Sequence, residues 1–220
     1  RDRSPSRGLG DVYKRQHNSY EGHRLSAAGE REFGPEATSG AMAIGQLLLQ
    51  WFDYWLRGID VPLMSEPRVR YFTMAGEKQG WRYAESWPPV TDLVEFFLHS
   101  EGSANSRYGD GVLDQEPQGD EKTDRYIYDP RDPVPTSGGR TFGGAGGGSG
   151  VVDQSAVEER DDVLVYSSCA LEEELSIAGN VILEIWISSS APDTDFTAKL
   201  VDVEPSGYCA IVCDGILRAR

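Results

Sequence analysis

The chain has 220 residues, of which 26% are charged and 39% apolar, and a formal net charge of −15 at pH 7. That length allows one large or two small domains with a sizeable core. The acidity argues against nucleic acid or an anionic membrane surface as a partner, since both would be repelled, and no run approaches the roughly eighteen apolar residues of a membrane-spanning helix.

In chain order, residues 1–16 show neither a helical nor a strand period. They hold five Lys/Arg against two Asp, a net +3 that leaves −18 on the remainder. The stretch resembles a translated sequencing adapter and is set aside as an artefact. The chain opens without Met and stops inside the apolar run Gly215-Ile216-Leu217-Arg218-Ala219-Arg220, so a fragment truncated at both ends is expected. Between Pro35 and Gly58, the apolar residues Ile44, Leu47, Leu48, Trp51, Trp55 and Leu56 recur at helical spacing. This predicts one helix over 35–57, with Pro35 in its first turn and Gly58 as its stop. The aromatic run Trp51 to Leu56 follows the same stripe and is assigned to core packing.

After a connection over 60–67, punctuated by Pro62 and Pro67, the period changes to two. Segments 68–74, 93–98, 124–128, 162–166, 181–187, 195–203 and 208–214 are predicted as strands. Seven short strands without an intervening helix give a mainly β class, a β-sandwich of jelly-roll or Greek-key type. The segment Gly138 to Gly150 holds eight glycines in thirteen residues and predicts an irregular loop. It lacks the Lys-Ser/Thr ending and following helix of a phosphate loop.

Three cysteines, Cys169, Cys209 and Cys213, are odd in number and lack Cys-x-x-Cys spacing, so buried free thiols are expected rather than a disulfide framework or zinc site. Asp193 and Asp195, like Asp129 and Asp132, are assigned to turns, where short acids bond to backbone amides. His99, at a strand end, is assigned a solvent-facing position. No metal site and no cofactor is predicted.

Two segments carry a resemblance: Tyr128-Asp129-Pro130-Arg131-Asp132-Pro133-Val134-Pro135-Thr136-Ser137-Gly138-Gly139, and Asp193-Thr194-Asp195-Phe196-Thr197-Ala198-Lys199-Leu200-Val201-Asp202-Val203. Both resemble signature segments in the C-terminal jelly-roll (galactose-binding-like) domain of X-Pro dipeptidyl-peptidase-type serine hydrolases, a group that includes cocaine-esterase-like enzymes. The resemblance implies a jelly roll over 63–220, preceded at 17–62 by the C-terminal remnant and terminal helix of a truncated α/β-hydrolase domain. That family carries a Gly-Pro-Trp-x-His motif, then a Phe-Gly pair and a helix ending in a Trp-Phe-Asp-x-x-Leu pattern. Phe33-Gly34 and Trp51-Phe52-Asp53-Tyr54-Trp55-Leu56 match the later landmarks; the Gly-Pro-Trp is absent.

By that resemblance the general base of a Ser-His-Asp triad falls on His17, followed by Asn18-Ser19-Tyr20, with His23 as the alternative. The Ser and Asp are expected upstream, and Ser19, Ser26 and Ser39 lack the Gly-x-Ser-x-Gly elbow of the nucleophile. The implied activity is cleavage of ester or amide bonds, acyl or X-Pro dipeptidyl, in a small-molecule or peptide substrate, with an α/β-hydrolase domain upstream in cis. In such enzymes the loop after the Pro-Val-Pro-x-x-Gly-Gly signature reaches the active-site mouth. That assigns Phe142 to the substrate pocket, with packing against the sandwich as its alternative. A rival from another class is a non-catalytic carbohydrate-binding jelly roll, in which Trp81 and Trp87 would stack on sugar rings unless they pack beneath the Pro88-Pro89 turn.

Overall fold

The helix predicted from the apolar stripe ends where predicted and starts later. In the computed structural model, which describes residues 26–38, 40–74, 79–90, 92–117, 119–140 and 148–219, helix α1 spans Ile44–Arg57. Gly58 closes it at φ 66° and ψ 26°, with its N–H donating to Tyr54 O at 3.1 Å. This left-handed conformation is costly for any residue with a Cβ. At the other end, Pro35–Ala37 forms a separate 3-10 turn. Thr38 Oγ1 donates to Pro35 O (2.8 Å) and accepts from Ala41 N–H (3.2 Å), and Ala43 turns left-handed at φ 47°. A threonine that bonds its own backbone competes with the helical ladder. The helix therefore begins where the stripe does, at Ile44, and not at Pro35.

The structure divides into two compact units. One holds, of the described residues, 26–28 and 32–89; the other holds 29–31 and 90–219. In the first, strands β3 (Val69–Thr73) and β4 (Gly80–Ala84) pair antiparallel, setting Phe72 opposite Trp81 and Arg70 opposite Tyr83. Phe33, buried at 6% exposure, meets Phe72 edge-on at 6.4 Å between centroids. The Trp81 ring packs on Phe72 at 5.2 Å while its Nε1–H donates to Glu36 O at 2.8 Å. Cross-strand aromatics with their polar edge satisfied hold this small unit together. The short strands β1 (Ala27–Ala28) and β2 (Arg31–Glu32) precede α1 in sequence.

In the second unit, β5 (Phe97–His99) pairs antiparallel with β6 (Val112–Asp114). Single bridges join Asn105 to Leu164 and Val112 to Ser167. A one-turn helix, α2 (Ser155–Glu158), precedes the long antiparallel hairpin of β7 (Thr194–Val203) and β8 (Cys209–Ala219). Register slips between Leu200 and Val201, where Val212 is the extra residue of a bulge. Ala104, Val151, Val157, Cys209, Ala210 and Ile211 form the buried apolar set. The chain is mainly β.

Several predicted strands are altered. Segment 93–98 contributes only its end, as β5 over 97–99, and the 208–214 strand runs on to 219. Segment 162–166 is bridged and not laddered: Ser106 N–H donates to Val163 O (2.7 Å) and Val165 N–H to Ala104 O (2.8 Å). Segment 124–128 pairs through side chains, since Asn105 Nδ2–H donates to Arg125 O and the Asp124 carboxylate accepts from Ala104 N–H. Segment 181–187 belongs to no ladder of the described residues and leaves Ile182, Leu183 and Trp186 exposed. Alternation states which face a segment can bury; it does not supply the neighbour that a ladder needs. Of the thiols expected to be buried, Cys209 is, Cys213 is half-buried and Cys169 is exposed; all three are free.

Gly58→Ala should lower stability by about 1 kcal/mol through its positive φ alone, since an added Cβ at 58 meets nothing within 4 Å. Gly215→Ala, also in open space but without a positive φ, should show no loss. Denaturant midpoints of the two variants make the comparison.

Candidate functional site: the neck of the glycine-rich loop

Of the signature pair, Gly138 is required by close approach to backbone and Gly139 by its left-handed φ. Gly139 and Gly150 exchange two backbone hydrogen bonds, each of 2.8 Å, which closes the ends of the glycine-rich segment into a neck. Gly138, Gly139 and Gly150 all have positive φ, at 64°, 72° and 94°. A Cβ on Gly138 would fall 2.7 Å from Gly150 O and 2.9 Å from Val152 Cβ, and one on Gly139 would fall 2.9 Å from Asp214 Oδ2. At 138 the clash is with backbone and leaves no room for a side chain; at 139 it is with the movable end of Asp214, and the positive φ is what favours glycine there.

Behind the neck lies Gln154, fully buried. Its Nε2 donates to Ser137 O (3.1 Å) and Val152 O (3.0 Å), and its Oε1 accepts from Lys199 Nζ at 2.7 Å. Burial holds the Lys199 amine below its usual range, with the Asp214 and Glu158 carboxylates opposing that shift. Next to it, Asp153 Oδ1 accepts from Ser155 Oγ–H (2.6 Å), Ser155 N–H (3.0 Å) and Cys209 N–H (3.1 Å). Those donors, the Ser155 hydroxyl foremost, keep Asp153 below the ordinary carboxylate range. The Cys209 thiol is pushed up by burial, which makes it a poor nucleophile.

The acids of the two signature segments are occupied in ion pairs and turns. Asp129 Oδ1 accepts from Arg131 N–H at 2.9 Å, and its carboxylate also receives the Arg131 guanidinium. Arg160 joins Asp132, through its carbonyl at 2.7 Å, to Asp162, through its carboxylate at 2.7 and 2.8 Å. Arg218 holds Asp195 at 2.8 and 3.0 Å. The assignment to turns holds for Asp129 and Asp132, whereas Asp195 lies within β7 opposite Arg218; the arginine partners were not indicated by the spacing.

His99 is not the solvent-facing residue expected from its position. Its side chain is 20% exposed, with Nδ1 2.7 Å from Glu121 Oε1 and Nε2 3.1 Å from both Glu116 O and Asp114 Oδ1. Both ring nitrogens face acceptors, so the geometry suits the doubly protonated imidazolium. Close by, Asp124 takes Ser100 Oγ–H (2.6 Å) and Tyr166 O–H (2.7 Å).

The residues assigned to chemistry from the sequence, His17, His23 and Phe142, all lie outside the described residues, as does Ser39. Ser26 donates to Glu32 Oε2 at 2.7 Å. Of the two tryptophans considered for sugar stacking, Trp81 is engaged in packing, whereas Trp87 stands edge-on to Tyr71 at 5.7 Å and is 50% exposed. Among the described residues no group of three or more His, Cys, Asp or Glu is placed to hold a metal ion. Gln154 and Lys199 were missed in the sequence: a lone Gln after Asp153 carries no signal, and Lys199 shares its alternation with the polar Asp195 and Thr197.

The described residues are mainly β, with Asp129, Asp132 and Asp195 of the signature segments held in ion pairs. A family description matches residues 62–220: the X-Pro dipeptidyl-peptidase C-terminal non-catalytic domain. The chain is 42% identical over 192 residues to the cocaine esterase of Rhodococcus sp. (strain MB1 Bresler), which covers 87% of this chain and 33% of that protein. It is 30% identical over 173 residues to "Putative serine esterase Mb1866c" of Mycobacterium bovis, covering 78% of the chain and 26% of that protein. The chain thus spans a third or less of the length of these relatives. It belongs to the X-Pro dipeptidyl-peptidase and cocaine-esterase-like family, as its C-terminal part.

The His99 cluster generates a pH prediction. The Glu121 hydrogen bond above all raises the His99 pKa over its ordinary value, and His99 in turn, followed by Ser100 N–H, lowers that of Glu121. The imidazolium contribution is complete below the ordinary histidine value and is lost as pH rises through the raised one; the Glu121 contribution is lost as pH falls through its lowered one. The clamp is strongest between the two. An NMR titration should place the His99 midpoint above that of the denatured chain, and Glu121→Gln should bring it down.

Proposed function

We propose that the chain is the C-terminal part of a serine hydrolase that cleaves ester or amide bonds in a small-molecule or peptide substrate. In this proposal residues 17–62 are the end of an α/β-hydrolase domain, residues 63–220 are a galactose-binding-like jelly roll, and residues 1–16 are an artefact. The observation that carries it is the 42% identity to a cocaine esterase, extending over most of this chain. The Ser and Asp of the triad lie upstream, so the chain by itself is inactive.

His17 is the general base, with His23 as the alternative. A serine hydroxyl is a weak nucleophile at neutral pH and needs a neutral imidazole within hydrogen-bond reach. His17 takes the Ser proton as Oγ bonds to the acyl carbonyl, then gives that proton to the departing alcohol or amine as the C–O or C–N bond breaks. A water, deprotonated by the same imidazole, releases the acid and restores the serine. The upstream carboxylate fixes the imidazole tautomer. Phe142 meets the acyl group from the glycine-rich loop.

The test starts with the coding sequence upstream of residue 17, which should encode a Gly-x-Ser-x-Gly elbow and the missing Gly-Pro-Trp. In the restored protein His17→Ala should lower ester hydrolysis by several orders of magnitude, the scale on which loss of a triad member acts. Near-normal turnover in His17→Ala with a collapse in His23→Ala moves the base to His23; activity in both removes it from this segment.

Phe142→Ala in the same protein should raise KM for bulky aromatic acyl esters and leave acetyl esters nearly unchanged, because about 1–3 kcal/mol of apolar contact is lost only where the substrate fills it. Equal changes for both substrates, with a lower melting temperature, would mean that Phe142 packs against its own domain.

A further inference from the structure

Segment 124–128 has strand composition and no ladder, so side-chain bonds at its first residues are what keep it in place. The Asp124 carboxylate accepts from Ala104 N–H (2.8 Å), Ser100 Oγ–H (2.6 Å) and Tyr166 O–H (2.7 Å). Three residues earlier, Glu121 Oε2 accepts from Ser100 N–H (3.3 Å), and its Oε1 lies 2.7 Å from His99 Nδ1. Ser100 is thus held by Glu121 through its N–H and by Asp124 through its hydroxyl. One line of contacts runs from His99 through Glu121 and Ser100 to Asp124, and ends on Ala104 and Tyr166.

The first member of that line titrates near neutral pH. The charges that face the His99 ring are Glu121, at Nδ1, and Asp114 of β6, at Nε2, and the Glu116 carbonyl is the third acceptor. Nearby, Lys122 is paired with Glu101 at 2.6 Å. An imidazolium donates on both sides. A neutral imidazole has one N–H, so its other nitrogen turns a lone pair toward oxygen. Whichever tautomer forms, one side of the clamp is lost, and Glu121 and Asp114 lose the positive charge between them.

We propose that His99 is a pH-operated latch for this corner of the second unit. As the imidazolium it ties Glu121 to the ends of β5 and β6, and so keeps Asp124 seated on Ser100, Ala104 and Tyr166. On losing its proton it lets Glu121 and the head of segment 124–128 come away together. What is released leads directly into Tyr128, where the first signature segment begins. The latch is closed below the ordinary histidine value and opens as pH rises through the raised one. It does not depend on which residues carry out hydrolysis.

The test is hydrogen exchange in the full-length protein, resolved to the Ser100 and Ala104 amides. It runs from about one pH unit below the His99 midpoint to about one above, corrected for the intrinsic pH dependence of amide exchange. Protection at both amides should fall as pH rises, by up to about tenfold for each unit by which the His99 midpoint exceeds that of the denatured chain. The Gln154 amide, bonded to Cys209 O at 2.9 Å, should keep its protection. His99→Gln, which cannot become a cation, should lower protection at Ser100 and Ala104 throughout and abolish its pH dependence in this range. Glu121→Gln should move the fall to lower pH.

Protection that stays flat across the His99 midpoint overturns the proposal. So does a fall shared equally by Gln154, which is a loss of global stability, and so does a fall that persists in His99→Gln, which assigns the titration to another group. Loss at Ser100 alone overturns it as well, since Asp124 would then hold without the latch. Should the variants fail to fold, the unsubstituted protein decides: a fall at Ser100 and Ala104 that tracks the His99 midpoint and spares Gln154 supports the latch, and any other pattern overturns it.

Discussion

A buried carboxamide has to find partners for all its polar atoms, and at Gln154 that requirement fixes four pieces of chain at once. Its backbone N–H donates to Cys209 O at 2.9 Å, and its carbonyl accepts from Val157 and Glu158 N–H, which starts α2. Its side chain reaches Ser137, Val152 and Lys199. Leaving one such group unsatisfied costs about 1–3 kcal/mol, more than a typical hydrogen bond contributes, so the segments move together or not at all. The two signature segments identified in the sequence are thereby parts of one construction. Ser137 comes from the first and Lys199 from the second, and Gln154 lies between them.

The same logic explains how so acidic a chain uses its few cations. Net repulsion disfavours compaction, yet arginines sit where they join distant carboxylates: Arg160 between Asp132 and Asp162, Arg218 against Asp195, and Arg31 with Glu204. Exposed pairs such as Arg131–Asp129, with 89% and 42% of the side chains exposed, contribute little. Arg160 and Asp162, at 23% and 13%, are largely screened from water. Several donors of that guanidinium are used, which ties the signature turn at Asp132 to the segment carrying Val163 and Val165. Arg160 on Asp162 and Arg218 on Asp195 are planar, bidentate clamps.

How much of this was legible follows from which signals are local. The Gly58 stop, the start of β3 and the existence of strands β7 and β8, though not their pairing, were legible because φ, alternation and turn residues are written in adjacent positions. The onset of α1 was not, because Thr38 and Ala43 break the ladder through their own backbone geometry, while Pro35 alone looks like a first turn. Segments 124–128 and 162–166 have strand-like composition, but the first is bonded through the side chains of Asn105 and Asp124 and the second meets 104–106 through isolated backbone bonds, so no regular ladder forms. Family membership was legible in the two signature segments. The residues assigned to catalysis and substrate, His17, His23 and Phe142, fall outside the described residues, and nothing local to positions 154 and 199 announced their contact across the fold.

A polar pair at the base of a glycine-rich loop answers a problem that apolar packing cannot. Hydrophobic contact is non-directional: it would hold the neck against β8 in any of several nearby settings, and glycine at 138, 139 and 150 removes the side chains that would otherwise choose among them. An amide whose nitrogen donates to two carbonyls admits one arrangement, with Ser137 and Val152 at fixed distances. Lys199 is half-buried against that amide, with the Asp214 and Glu158 carboxylates favouring its charge, and a satisfied polar network of this kind supplies uniqueness.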